Sequence, residues 1–331
     1  PSSWYVCVLF FVTGLGATVC LHKLARRQRK MCLRDCHSAY HLKEVNVQLN
    51  WKHQFEHAGF YAAIEKGFYK DIGLKVNLVE KQSGSSSFDE VMNGNAHFGI
   101  GYSSLVLEYL KGKPVVALAS LFQHSPLVFV SKQSSNIRNA SDFIGKKVMV
   151  SPSSQSSASL NIMMKKVGVS YDDVFLQKHT YNINDLIDDK TDVVAIYVSN
   201  QPFYLEEKNI SYNIIDPANF GFDFYENILF TNQNILKNNP KMVKDFVSAT
   251  LKGWKYALEN EDEIIDLIIS NYSTKKTKKA LQYEANIIKT SLMPKNIPVG
   301  ELDKRRVERI ITLYEELGIL SQKDYNLKTF T

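Results

Sequence analysis

From Val45 onward the sequence alternates short apolar runs with segments of helical spacing, and this alternation restricts the chain to an α/β fold with a largely parallel sheet. Residues 45–51 alternate apolar and polar side chains with a period of two, which predicts a strand. Strands are likewise predicted at 74–79, 97–101, 115–121 and 127–131, with helices at 58–66, 88–92 and 105–110. A second unit begins near Lys132, with strands at 146–150, 174–179, 192–196 and 212–215 and a helix at 158–167. Residues 227–231 read as a return strand. Beyond it lie four helical segments, 240–259, 262–271, 275–290 and 302–317, with Pro240 placed for a helix start and Gly318 for a helix end. The expected organisation is a two-lobe clamp: 44–131 with 229–331 as the first lobe, 132–228 as the second, and a helical C-terminal region.

Charge and cysteine divide the chain differently. Formal net charge is +6, and residues 1–43 carry all of it, with seven bases against the single acid Asp35. Cys7, Cys20, Cys32 and Cys36 also fall there, so the remaining body is neutral and free of cysteine. A basic nucleic-acid-binding domain and a disulfide scaffold are therefore not expected of the body. Residues 4–21 form an uncharged apolar run near the lower length of a membrane span. Bases follow this run rather than precede it, which is the reverse of an export signal, and the positive-inside rule would put the downstream side in the cytoplasm. Val19 before Cys20 does not suit a lipoprotein cleavage site. Two readings of 1–43 stand: a membrane anchor, or a stretch foreign to the mature protein. Cys32, Cys36, His37 and His41 lack zinc-site spacing, and no metal site is expected.

In α/β sheets ligands bind beyond the carboxyl ends of the strands, which selects four loops. The first follows the opening strand and carries Trp51 as a stacking surface, with Gln54, His57 and Tyr61 as polar aromatic or amide partners. Trp51 and Tyr61 equally suit a core, and His57 a helix cap. The second loop, Gly101, Tyr102, Ser103 and Ser104, lets a ligand approach the backbone, though serines there also serve as caps. The third holds Ser153, Ser154, Gln155 and Ser156 before a helix, where hydroxyls and free N–H groups can meet an anionic end. Tyr197 and Asn200 follow the strand at 192–196 and face the same edge. The sequence has no His-Glu-x-x-His, nucleophile elbow, phosphate loop or full dinucleotide fingerprint, so neither catalysis nor a cofactor is required.

Several segments match a known pattern. Asn50-Trp51, His57-Ala58-Gly59-Phe60-Tyr61-Ala62-Ala63, Lys66-Gly67-Phe68-Tyr69-Lys70 and Gly73-Leu74 resemble the opening of the thiamine-pyrimidine-precursor and sulfonate, nitrate and taurine binding proteins. Phe98-Gly99-Ile100-Gly101, Lys111-Gly112-Lys113-Pro114-Val115 and Asp142-Phe143-Ile144-Gly145-Lys146 continue the resemblance, which covers roughly 44–320. It implies a type-II periplasmic-binding-protein fold that closes over a small ligand and works with an ABC-transporter permease or a sensor partner, facing the periplasm. The expected ligand is a small planar molecule such as a thiamine pyrimidine precursor. Trp51-Lys52-His53-Gln54-Phe55 and Ser199-Asn200-Gln201-Pro202-Phe203 are most similar to stand-alone periplasmic members or to ectodomains of sensor kinases and diguanylate cyclases. The fold also includes the fungal thiamine pyrimidine synthase, which uses a lysine for pyridoxal phosphate, a histidine as substrate and a cysteine-rich motif for iron. The matching loop here reads Gly101-Tyr102-Ser103-Ser104, with no lysine or histidine before Lys111, and no cysteine follows Cys36. The resemblance thus implies binding rather than catalysis.

Overall fold

The computed structural model describes residues 42–151, 154–272 and 274–321, together with Leu327 and Phe330. The apolar run at 4–21, the Cys32/His37 cluster and Ser153 lie outside the described residues. Two five-stranded sheets carry the body. The first uses β1 (Lys43–Gln48), β2 (Leu74–Val79), β3 (Phe98–Gly101), β4 (Val115–Phe122) and β10 (Glu226–Asn232), in the order β2-β1-β3-β10-β4. The second uses β5 (Leu127–Lys132), β6 (Lys147–Val150), β7 (Phe175–Lys178), β8 (Val193–Tyr197) and β9 (Tyr212–Ile215), in the order β7-β6-β8-β5-β9.

Each sheet is largely parallel, as the alternation predicts, with one strand reversed. β1 pairs in parallel with β2 and β3, whereas β10 runs antiparallel to both β3 and β4. The second sheet repeats this plan, with β5 antiparallel to β8 and β9. The reversed strands are those on which the chain enters or re-enters a sheet after crossing between the two. Such a strand is not preceded by a helical crossover in its own sheet, so the rule that makes βαβ strands parallel does not govern it. For the same reason the strand expected at 127–131 and placed with the first lobe from sequence belongs, as β5, to the second sheet. The chain crosses before β5, and β10 already starts at Glu226.

Helices cover both faces of each sheet. They are α1 (Ala58–Glu65), α2 (Ser87–Met92), α3 (Leu105–Leu110), α4 (Ser154–Lys166), α5 (Asn184–Ile187), α6 (Gln201–Glu207), α7 (Gln233–Asn238), α8 (Pro240–Glu259), α9 (Glu261–Asn271), α10 (Lys278–Ile287) and α11 (Lys304–Glu316). Val45, Val47 and Leu49 point to one face, as the period of two requires, and share a core with Phe60, Phe246 and Trp254. In α8 the buried residues Val243, Phe246, Ala249, Thr250, Gly253, Trp254 and Ala257 recur at three- and four-residue intervals and make one stripe. This stripe meets α1 at contact distance. A Cβ on Gly253 would stand 2.1 Å from the Gly59 carbonyl oxygen, and one on Gly59 would stand 2.2 Å from the Trp254 ring. Glycine at both positions is thus a packing requirement that fixes where α1, and the loop before it, sits.

Candidate functional site

Between β1 and α1 the chain runs through Asn50, Trp51 and Gln54 into a single 3₁₀ turn, Phe55–His57. Two anchors hold that turn. Glu284 on α10 accepts from the Glu56 N–H at 3.0 Å and the Phe55 N–H at 3.3 Å, and it is itself paired with Lys276 at 2.9 Å. Behind the turn, Asn50 donates from Nδ2 to Asn227 Oδ1 at 2.8 Å, and its Oδ1 lies 2.9 Å from His57 Nε2. Asn227 returns a bond to the Glu56 carbonyl at 3.3 Å. It is fully buried and has φ +49°, a left-handed conformation that asparagine tolerates better than most residues.

These anchors shape one wall of a cavity of about 130 Å³ between the carboxyl ends of the two sheets. Trp51, Gln54, Glu56, Tyr102 and Glu226 line it from the first sheet's side; Ser151, Ser156, His179, Tyr181, Tyr197 and Asn200 line it from the second. The volume is close to the ~150 Å³ that houses a benzene ring in an engineered apolar cavity, so it suits one aromatic ring. Trp51 and Tyr181 meet across the cleft, with centroids 5.3 Å apart and planes tilted by 48°. Tyr181 stacks in turn on His179 at 4.6 Å. His179 Nδ1 accepts the Tyr181 N–H at 2.8 Å and Nε2 donates to the Ala195 carbonyl at 2.6 Å, which fixes a neutral imidazole. Burial also lowers its pKa. Lys81 at the rim places its ammonium 5.8 Å from the centre of the Trp51 ring.

Two carboxylates face this small space. Glu226 is fully buried and accepts from the Tyr197 hydroxyl at 2.7 Å and the Ser125 hydroxyl at 3.3 Å. Glu56 accepts from Gln54 Nε2 through Oε2, while Oε1 has no hydrogen-bond partner. Burial, and then the Glu284 charge, push the Glu56 carboxyl up to about 8; Lys276 and Gln54 oppose them. Burial lowers His57 to about 3, so its ring is neutral at ordinary pH. These shifts set a pH signature. Above about pH 7.5 His57 is largely neutral in both folded and unfolded chains, whereas Glu56 keeps its proton only when folded. The folded state then binds more protons, so stability falls as pH rises toward 8. Melting curves at about pH 7.5 and about pH 9 are expected to show a drop for the wild type and a smaller drop for Glu56→Gln.

Six of the residues selected from sequence, Trp51, Gln54, Tyr102, Ser156, Tyr197 and Asn200, come together on the cavity. Gly101 and Ser104 line an adjoining cleft of about 420 Å³ that shares Asn50, Lys81 and Tyr102 with it. His57 faces the asparagines behind the wall. Tyr61 is buried, with its hydroxyl 2.9 Å from His53 Nδ1 and its ring 4.3 Å from Tyr272. Ser103 is buried and donates to the Tyr225 carbonyl at 2.7 Å. Ser154 and Gln155 belong to the first turn of α4. The sequence reading missed Glu56, Lys81, His179, Tyr181 and Glu226. Tyr181 lies just beyond the carboxyl end of β7, where the strand-end rule would have found it.

Residues 54–264, more than half the chain, match the family described as NMT1/THI5 like. The chain belongs to that family. Among relatives of this NMT1/THI5-like protein, the formylaminopyrimidine-binding protein of Halalkalibacterium halodurans is 24% identical over 291 residues, covering 85% of this chain and 87% of that one. The riboflavin-binding protein RibY of Chloroflexus aurantiacus is 25% identical over 231 residues, 68% of this chain and 66% of its own. A 4-amino-5-hydroxymethyl-2-methylpyrimidine phosphate synthase of Legionella pneumophila is 24% identical, covering 68% and 72%. The periplasmic aliphatic sulphonate-binding protein SsuA of Escherichia coli superposes with a TM-score of 0.63 at 13% identity, over 85% of this chain and 94% of that one. The body therefore has the two-lobe periplasmic-binding-protein fold. No described helix is long and apolar enough to cross a membrane.

Proposed function

We propose that this protein is a non-enzymatic solute-binding protein that traps a small planar ligand, of the kind of a thiamine pyrimidine precursor, between its two lobes. The observation that carries the reading is the one-ring cavity walled by Trp51, Tyr102, Tyr181 and Tyr197 at the carboxyl ends of both sheets. Aromatic faces supply stacking, while Gln54, Asn200 and the carboxylates supply orientation. The enclosed part of the site takes one ring, and the clefts that adjoin it through Tyr102 and through Trp51 and Tyr181 leave room for substituents. The lobes are the units built on the two sheets, hinged where the chain crosses at 123–126 and 216–225. Closure reports occupancy to an ABC importer or to a sensor partner, and the site of action is the periplasm.

The synthase reading rests on the Legionella relative. Its pyridoxal phosphate would need a lysine where this chain has Tyr102 and Ser103, so the residues present do not fit that cofactor. Lys81 is the lysine on the cavity, and its ammonium sits over the Trp51 ring. A thermal-shift screen of the full chain against pyrimidines, sulfonates, nitrate and amino acids tests the binding reading. A pyrimidine at one hundred times its Kd is expected to add about 2.7 kcal/mol of stability. A panel in which no compound raises the melting temperature contradicts it.

A further inference from the structure

One helix holds both walls of the cavity. α10 packs into the core of the first sheet's lobe through Leu281 and Ala285, and its Glu284 grips the N–H groups of Phe55 and Glu56. The residue beside it, Tyr283, reaches the other lobe. Its hydroxyl donates to the Val198 carbonyl at 3.2 Å, and its ring centre lies 5.7 Å from that of Phe203 on α6. Val198 stands between Tyr197 and Asn200, which both line the cavity, and its own N–H donates to the Pro126 carbonyl at 2.8 Å, where the chain crosses between the sheets. Beyond α10 the chain makes a π-helical turn, Ile288–Leu292, whose Leu292 carbonyl accepts the Gln123 N–H at 2.8 Å in that same crossing. α10 and its extension therefore touch the first wall, the second wall and the hinge.

Tyr283 lines neither the cavity nor the two clefts that adjoin it. A ring in the cavity presses on the Trp51–Tyr181 and Tyr197–Glu226 contacts across the cleft, whereas the Tyr283 contact is left whole. Resting on the solute-binding reading, we propose that Tyr283 is a positioning residue that latches the two lobes together and sets how long the ligand stays without touching it. The latch is made when the lobes close and lost when they part. Its free energy belongs to the closed arrangement and not to any one ligand, and affinity rises with the closed fraction. The ligand enters the open clamp and leaves through it, so a weaker latch shows as faster release. Glu284, one residue on, fixes the first wall, so closing against Val198 brings Asn200 and Tyr197 to a turn already in place.

Tyr283 is only part-buried, and the buried residues of α10 are Ala280, Leu281, Glu284 and Ala285, so its variants are expected to melt close to the wild type. The probe is 4-amino-2-methylpyrimidine, with affinity read by calorimetry and rates by stopped flow on the full chain. Tyr283→Phe loses the bond to Val198 but keeps the ring, and is expected to weaken binding about two- to tenfold. Tyr283→Ala loses both and is expected to weaken it at least about tenfold, with the loss in koff and with kon within about twofold of the wild type. Small-angle scattering of the protein without probe is expected to give a larger radius of gyration for Tyr283→Ala. The inference is overturned if Tyr283→Ala binds within about twofold of the wild type, or if its loss lies in kon alone. If the pyrimidine binds neither protein, the pyrimidine reading fails and scattering decides the latch by itself. A larger radius for the variant then sustains the latch, and equal radii overturn it.

Discussion

Lys276→Met is expected to destabilise the protein by about 3–5 kcal/mol, measured by urea denaturation, the usual cost of stripping one partner from a buried ion pair. Lys276 is the cation paired with Glu284, which is fully buried and lies 2.9 Å from it. The effect does not stop at stability, because Glu284 also holds the N–H groups of Phe55 and Glu56. Losing the cation forces Glu284 to take a proton or to move, and either weakens the anchor of the 3₁₀ turn that presents Glu56. Ligand affinity is therefore expected to fall along with stability. The double variant Lys276→Met/Glu284→Gln is expected to regain much of the lost stability. The amide oxygen still accepts the Glu56 N–H, the longer Phe55 bond is given up, and no buried charge is left unpaired. A single variant as stable as the wild type would show that this pair does not anchor the site.

The second large effect is on binding. Trp51→Ala is expected to weaken the ligand by about tenfold to a hundredfold, from the ~1–3 kcal/mol that an aromatic face contributes to a stacked heterocycle. Trp51 is only part-buried and its ring contacts Tyr181, on the other side of the cleft, at 5.3 Å. Its removal thus takes away a stacking surface and an aromatic contact between the two sides, while the core of the first sheet is left intact. Trp51→Phe keeps a face and is expected to recover most of the affinity. Equal affinities for wild type and Trp51→Ala, measured calorimetrically, would place the ligand elsewhere.

Element positions were legible because the local periodicities survive in isolation: the ends of the strands β2 and β9 and of the helices α3 and α8 fall where the pattern put them. The one reversed strand in each sheet was not legible. β10 pairs with β3 and β4 across more than a hundred residues of chain, and no local pattern encodes that pairing. The site was legible as loops but only partly as side chains. In a 3₁₀ turn successive residues differ by about 120° in direction, so neighbours face different surroundings. Glu56 accordingly lines the cavity while His57, the more conspicuous residue in sequence, turns to Asn50. Tyr181 reaches the cleft from a left-handed backbone at φ +60°, which sequence gives little reason to expect of a tyrosine.

Co-crystallisation of the full chain with 4-amino-2-methylpyrimidine tests the central claim most directly. The account predicts one ring in the cavity between the sheets, lying against Trp51. A ring bound outside that cavity, or a cavity still empty at a pyrimidine concentration that saturates the protein in solution, would contradict it.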